Sequence, residues 1–190
     1  MTASLIAYLV SMMTAWVPIQ SHSYYEPTVA TAARYDSIAR DVLDAATESP
    51  MFAGSYGAAK TAALSLSIAG AESHYAKRTD ECRPGPGEGD RDKAGVPHAW
   101  TLWQMHDEPG RVHHWLTCSS RVYAARASLA WIAESFSRCR YLEMGDRLSF
   151  YTDGACRKDW KRSRFRVERA TAYVKAHPLP VEEKLAEASP

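Results

Sequence analysis

Val122, Ala125, Leu129, Ile132 and Phe136 step by three and four along the chain. That spacing gathers them on one face of a helix and is incompatible with a half-buried strand. Arg126 and Glu134 take the opposite side, so a helix over residues 121–137 needs other elements to cover its apolar face. The same rhythm predicts those elements. Residues 29–47 form a helix with Ile38, Val42 and Ala45 on one side, stopped by Glu48-Ser49-Pro50. A second helix runs over 58–74 and is rich in alanine. A shorter one, 142–151, closes at Thr152-Asp153-Gly154. The last, 159–176, turns Trp160, Ser163, Val167, Ala170 and Val174 inward and a basic cluster outward, and ends before Pro178 and Pro180. The expected fold class is mainly α in a single domain, with no internal repeats. A chain of 190 residues suffices for one good core, and 46% hydrophobic with 24% charged residues argues against wholesale disorder.

The helix over 58–74 raises a chemical question. Leu64, Ile68 and Glu72 follow one another at i,i+4, so the carboxyl continues an apolar stripe. A charged carboxylate on such a face costs free energy, so Glu72 is expected to be either paired or held protonated. The alternative is that it lies past the stripe in an exposed last turn. A protonated carboxylic acid in a cleft is the general acid that glycosidic cleavage needs. Gly70 and Ala71 permit close packing beside it.

Between Ala76 and Ala99 periodicity disappears, and the stretch Cys82–Asp92 is dominated by glycine and proline. A long loop of this kind inside a compact domain is usually functional or disordered. Order returns at Trp100-Thr101-Leu102-Trp103-Gln104-Met105-His106, read as a short strand or tight segment before a turn at Pro109-Gly110. Cys82, Cys118, Cys139 and Cys156 form no CxxC pair. They admit two disulfides in any of three connectivities, or four reduced thiols.

The first 25 residues carry no charged side chain. Ala3–Val17 is mostly apolar and Pro18 ends any helix there, but the run is too short to span a bilayer. It reads as a signal-like segment lacking a basic start, or as a helix that packs on the body of the protein or on a partner subunit. The predicted division is an N-terminal segment 1–28, a main domain 29–177 and a flexible tail 178–190.

Three short motifs occur in a telling order: Ala71-Glu72-Ser73-His74-Tyr75, then Thr101-Leu102-Trp103-Gln104-Met105, then Tyr151-Thr152-Asp153-Gly154. Together they resemble the lysozyme-like superfamily, and within it the soluble lytic transglycosylases and phage peptidoglycan-degrading domains. There a helix ends in Glu-Ser, followed by Gly-Leu-Met/Trp-Gln and later Tyr-Asn-Ala-Gly. The likeness covers residues 34–175. It implies a lysozyme-like α+β domain with the long loop beside its cleft, Glu72 as catalytic acid, and Ser73, Trp103, Gln104 and Tyr151 as glycan-binding residues. This chain departs from the pattern at Thr101, where the family has glycine, at Thr152-Asp153, which replace Asn-Ala, and in its longer Gly/Pro loop. Of Trp100 and Trp103, one is expected in the cleft and one inside. Gln104 would meet an acetamido group, orient the acid or satisfy its own turn. The Tyr151 hydroxyl would reach the glycan or Glu72, or be buried on a backbone partner.

The activity so implied is cleavage of the β-1,4 bond between N-acetylmuramic acid and N-acetylglucosamine in peptidoglycan, without a cofactor, in the periplasm, outside the cell or from a virion. Candidates for a second carboxylate are Glu88, Asp90, Asp92 and Asp107; without one, Glu72 would act alone and leave 1,6-anhydro ends. Alternatives are a lysozyme-type hydrolase and a noncatalytic virion or secretion-apparatus component that docks through residues 1–28. His98, His106, His113 and His114 with Asp107 match no metal-site spacing, so no metal is expected. Residues 157–169 hold seven basic and two acidic side chains, a patch suited to an anionic polymer. Few aromatics interleave it, so nucleic acid is not the expected partner.

Overall fold

The structure, a computed structural model, describes residues 2–83, 91–106 and 113–180. Its long helices are α1 (Thr2–Trp16), α2 (Thr28–Glu48), α3 (Gly57–Ser73), α6 (Arg121–Arg138) and α8 (Lys161–Ala176). Between them lie the short helices α4 (Lys77–Asp80), α5 (His114–Thr117) and α7 (Ser149–Asp153), and a small hairpin of β1 (Ala99–Trp100) and β2 (Met105–His106). The mainly helical expectation holds.

The central element is α3, which packs against α1, α2 and α8 and also touches α6. The sequence suggested one buried face, yet every residue from Thr61 to Gly70 is buried. Alanine, serine and glycine give the helix a thin profile, so neighbours close on all its sides. Its buried hydroxyls are satisfied: Ser67 donates to the Arg166 carbonyl at 2.6 Å and Thr61 to the Gly57 carbonyl at 2.8 Å. At its end His74 and Tyr75 both adopt the left-handed conformation, φ 51°. The His74 N–H closes the helix onto the Gly70 carbonyl. Tyr75 folds beneath it, its hydroxyl donating to the Leu66 carbonyl at 2.7 Å. A Cβ at position 70 would lie 2.7 Å from that hydroxyl oxygen, so this close approach requires glycine.

Ile6, Leu9, Met12, Met13 and Val17 of the N-terminal stretch join the same core as α2, α3 and α6. The Tyr35 hydroxyl holds the Val17 carbonyl at 3.0 Å and lies 2.9 Å from His22 Nε2. In the structure this helix packs on the body of the protein. Tyr24 and Tyr25 remain exposed, edge to face against one another. Among the described residues no helix is long and apolar enough to cross a membrane.

Two predicted elements need correction. The helix over 142–151 is instead a 3₁₀ turn, Met144–Asp146, followed by α7. Asp146 interrupts it by turning wholly inward, where its carboxylate accepts the N–H groups of Asp159 and Trp160 and an ion pair from Arg164. It thereby anchors the chain entering α8 to the turn. The loop 76–99 also carries more order than its composition suggested, in α4 and in a turn at residues 92–96. The four cysteines form two disulfides, Cys82–Cys118 and Cys139–Cys156. These pairings fit an oxidising destination. Of the tail, residues 181–190 lie outside the described residues.

Candidate active site

Of the three motifs that lie far apart in the chain, the second and third are joined by a hydrogen bond, and the second is seated on the helix that carries the first. From the hairpin turn, Trp103 Nε1 donates to Ser65 Oγ at 3.0 Å, which seats the turn against α3. The Tyr151 hydroxyl of α7 donates to the Trp103 carbonyl at 2.9 Å, and the Tyr151 N–H is held by Ser135 Oγ of α6 at 3.0 Å. Burial and then the nearby charge of Glu72 push the Tyr151 phenol well above its ordinary pKa, with Arg166 opposing. Glu72, the Trp103-Gln104 turn and Tyr151 thus occupy one neighbourhood.

Glu72 resolves its burial cost by pairing. Arg166 Nη2 lies 2.6 Å from Glu72 Oε1. The Glu72 side chain is 22% exposed, whereas that of Arg166 is 9% exposed. The expected outward basic cluster of α8 is therefore broken: Arg166 is buried, and Arg164 and Arg169 are half-buried on Asp146 and Ser67. The signal was present: Arg166 stands three residues after Ser163 and one before Val167, in the middle of the inward stripe. The presumption that arginine faces solvent concealed it.

Other predicted contacts change role. The Ser73 hydroxyl turns back to the Ala69 carbonyl at 2.9 Å, as serines near helix ends do, and is spent there. Trp103 is 1% exposed and offers no face to a sugar; its aromatic area belongs to the core. Trp100, the other candidate, is half-buried and stacks on His114. Gln104 Nε2 donates to the Thr101 carbonyl at 3.0 Å, satisfying its own turn. Thr101 and Gln104 have φ of 67° and 50°. The glycine of the resembled motif falls on Thr101, a left-handed position where a β-branched residue is strained.

Of the proposed second carboxylates, Asp92 is exposed and accepts the N–H groups of Ala94 and Val96, each at 2.8 Å. Its carboxylate is committed to its own turn. Glu88, Asp90 and Asp107 lie outside the described residues. Among the described residues Arg166 is the ion-pair partner of Glu72, and no carboxylate stands beside it by hydrogen bond.

No protein-family model matches this chain, and neither do the curated proteins or the solved structures.

Proposed function

We propose that the protein is a peptidoglycan-degrading glycosidase of lysozyme-like fold, cleaving the β-1,4 bond between N-acetylmuramic acid and N-acetylglucosamine as a lytic transglycosylase. The observation that supports this most is the convergence of Glu72, the Trp103-Gln104 turn and Tyr151 from three separate stretches of chain.

In the proposed reaction an incoming strand displaces Arg166 from one Glu72 oxygen. Freed of its ion pair, the Glu72 carboxylate takes up a proton from water and then gives it to the glycosidic oxygen as the bond from C1 to that oxygen breaks. The resulting carboxylate takes the proton of the muramic acid C6 hydroxyl, whose oxygen closes on C1. The products are a 1,6-anhydro end and a free hydroxyl, and Glu72 is protonated again. One carboxylate suffices for both transfers. A two-carboxylate hydrolysis would need a partner other than Asp92, whose carboxylate is held by its own turn.

A second reading has its own support. The tight Glu72–Arg166 pair, the inward Ser73 hydroxyl and the buried Trp103 also suit a noncatalytic virion or secretion component that keeps the fold for docking. A murein suspension decides between them. Clearing by the wild type and none by Glu72→Gln supports the enzyme; equal inertness of both supports the structural role. Mass spectrometry of the products separates the chemistries, with anhydro ends marking the transglycosylase and reducing ends a hydrolase.

A further inference from the structure

Beside Glu72, on the other side of Arg166, a groove of about 490 Å³ runs between the ends of α1 and α3 and the first turns of α8. Lys161, Arg162, Arg166 and Arg169 all line it. Among the described residues no carboxylate pairs with Lys161, Arg162 or Arg169. Arg169 spends its hydrogen bonds on the neutral Ser67, donating to its hydroxyl and its carbonyl. Its guanidinium lies 4.4 Å from the Trp16 ring centroid and 5.0 Å from that of Phe165. Burial, together with the charge of Arg166, lowers its pKa below the ordinary arginine value.

Such crowding is costly in the empty groove. Like charges repel, and the first turn of a helix carries a partial positive charge of its own that cations oppose. The second independent sign is Arg166. Its side chain is more than nine-tenths buried, and its Nε finds no hydrogen-bond partner. Arg166 lines the groove with more N–H donors than the acceptors around it satisfy, and arginine forks match carboxylate and phosphate geometry.

We infer that this groove is an oxyanion site holding a carboxylate or phosphate substituent of the glycan strand presented to Glu72. The assignment rests on the function proposed above for the strand, while the anion site rests on the groove alone. Arg166 touches both places, so a strand lying across Glu72 brings its charged substituents to the groove. A hollow closed by one enclosed arginine suits a single anionic group. A nucleic-acid duplex, with phosphates spaced along a ridge, would meet only the exposed Lys161 and Arg162.

The test is calorimetric binding of inorganic phosphate to the wild type and to the Lys161→Glu/Arg162→Glu variant, whose altered residues are exposed and leave folding intact. Phosphate is expected to bind the wild type, with affinity reduced about tenfold or more in the variant. In a Glu72→Gln background, which keeps strands whole, bare glycan strands are compared with strands bearing carboxylate peptide stems and strands bearing phosphate polymer. Tighter binding of either charged strand supports the site and names the source of the anion. Absence of phosphate binding, equal affinity for bare and charged strands, or preference for a short DNA duplex would each overturn it. Failure of murein clearing with anion binding retained counts against the enzyme reading alone.

Discussion

Arg166 and Glu72 stand 94 residues apart in sequence and 2.6 Å apart in space. The contact joins α8 to the end of α3 and fixes the one acid on which the proposed chemistry depends. Losing either partner has different consequences, because one carries the reaction and the other holds a charge in a largely dry place.

Glu72→Gln retains a hydrogen-bond acceptor for Arg166, so the fold should persist. Removal of a general acid should lower the murein-clearing rate by about 10²–10⁴-fold. Circular dichroism that matches the wild type, with turbidity no longer falling, is the expected result.

Arg166→Met should destabilise the protein by about 3–5 kcal/mol, since it leaves Glu72 unpaired at a packed helix end. Urea unfolding measures this. A double-mutant cycle with Glu72→Gln should return a coupling of about 1–3 kcal/mol; additive effects would show that the pair contributes nothing.

Gly70→Ala should be worse than its single methyl suggests. The added Cβ would meet the Tyr75 hydroxyl at 2.7 Å, forcing the ring off the Leu66 carbonyl. Overpacking and a lost buried hydrogen bond together predict a loss of about 2–4 kcal/mol, read as a lower unfolding midpoint.

Acid should loosen the anchor before α8. Hydrogen bonding from Arg164 lowers the Asp146 pKa from 3.8 to about 2, against the opposing effect of desolvation. A carboxylate depressed on folding contributes stability that is fully present above its unfolded value and is lost as pH falls through its folded one. Stability should therefore drop between pH 3.8 and about 2. Asp146→Asn should lack that part of the slope and be less stable at neutral pH.

Reduction should act through the unfolded chain. Replacing Cys139 and Cys156 by serine opens a link of 17 residues and should cost about 3 kcal/mol through restored chain entropy. A non-reducing peptide map should recover Cys139–Cys156 and Cys82–Cys118 and no other pairing.

Much of the architecture was legible because helices announce themselves locally. The apolar stepping of 121–137 and 29–47 located α6 and α2 to within a residue or two, and Pro18 and Pro50 marked real ends. Where the reading failed, the deciding group lay elsewhere in the chain. The stretch 142–151 has the composition of a helix, yet Asp146 is needed by amides at 159 and 160. Trp103 was legible as an aromatic at a turn; only the position of Ser65 decided that it points inward.

By itself, then, the amino-acid order determined that helices form, where most of them stop, and that an acid stands at the end of the apolar third one. Periodicity and backbone stereochemistry act between neighbours, and neighbours are visible in a sequence. The tertiary structure alone decided that Arg166 rather than a bound proton answers the charge of Glu72, and which cysteines meet. Those outcomes depend on which distant side chain arrives first within hydrogen-bonding reach, a matter of packing that no local pattern records.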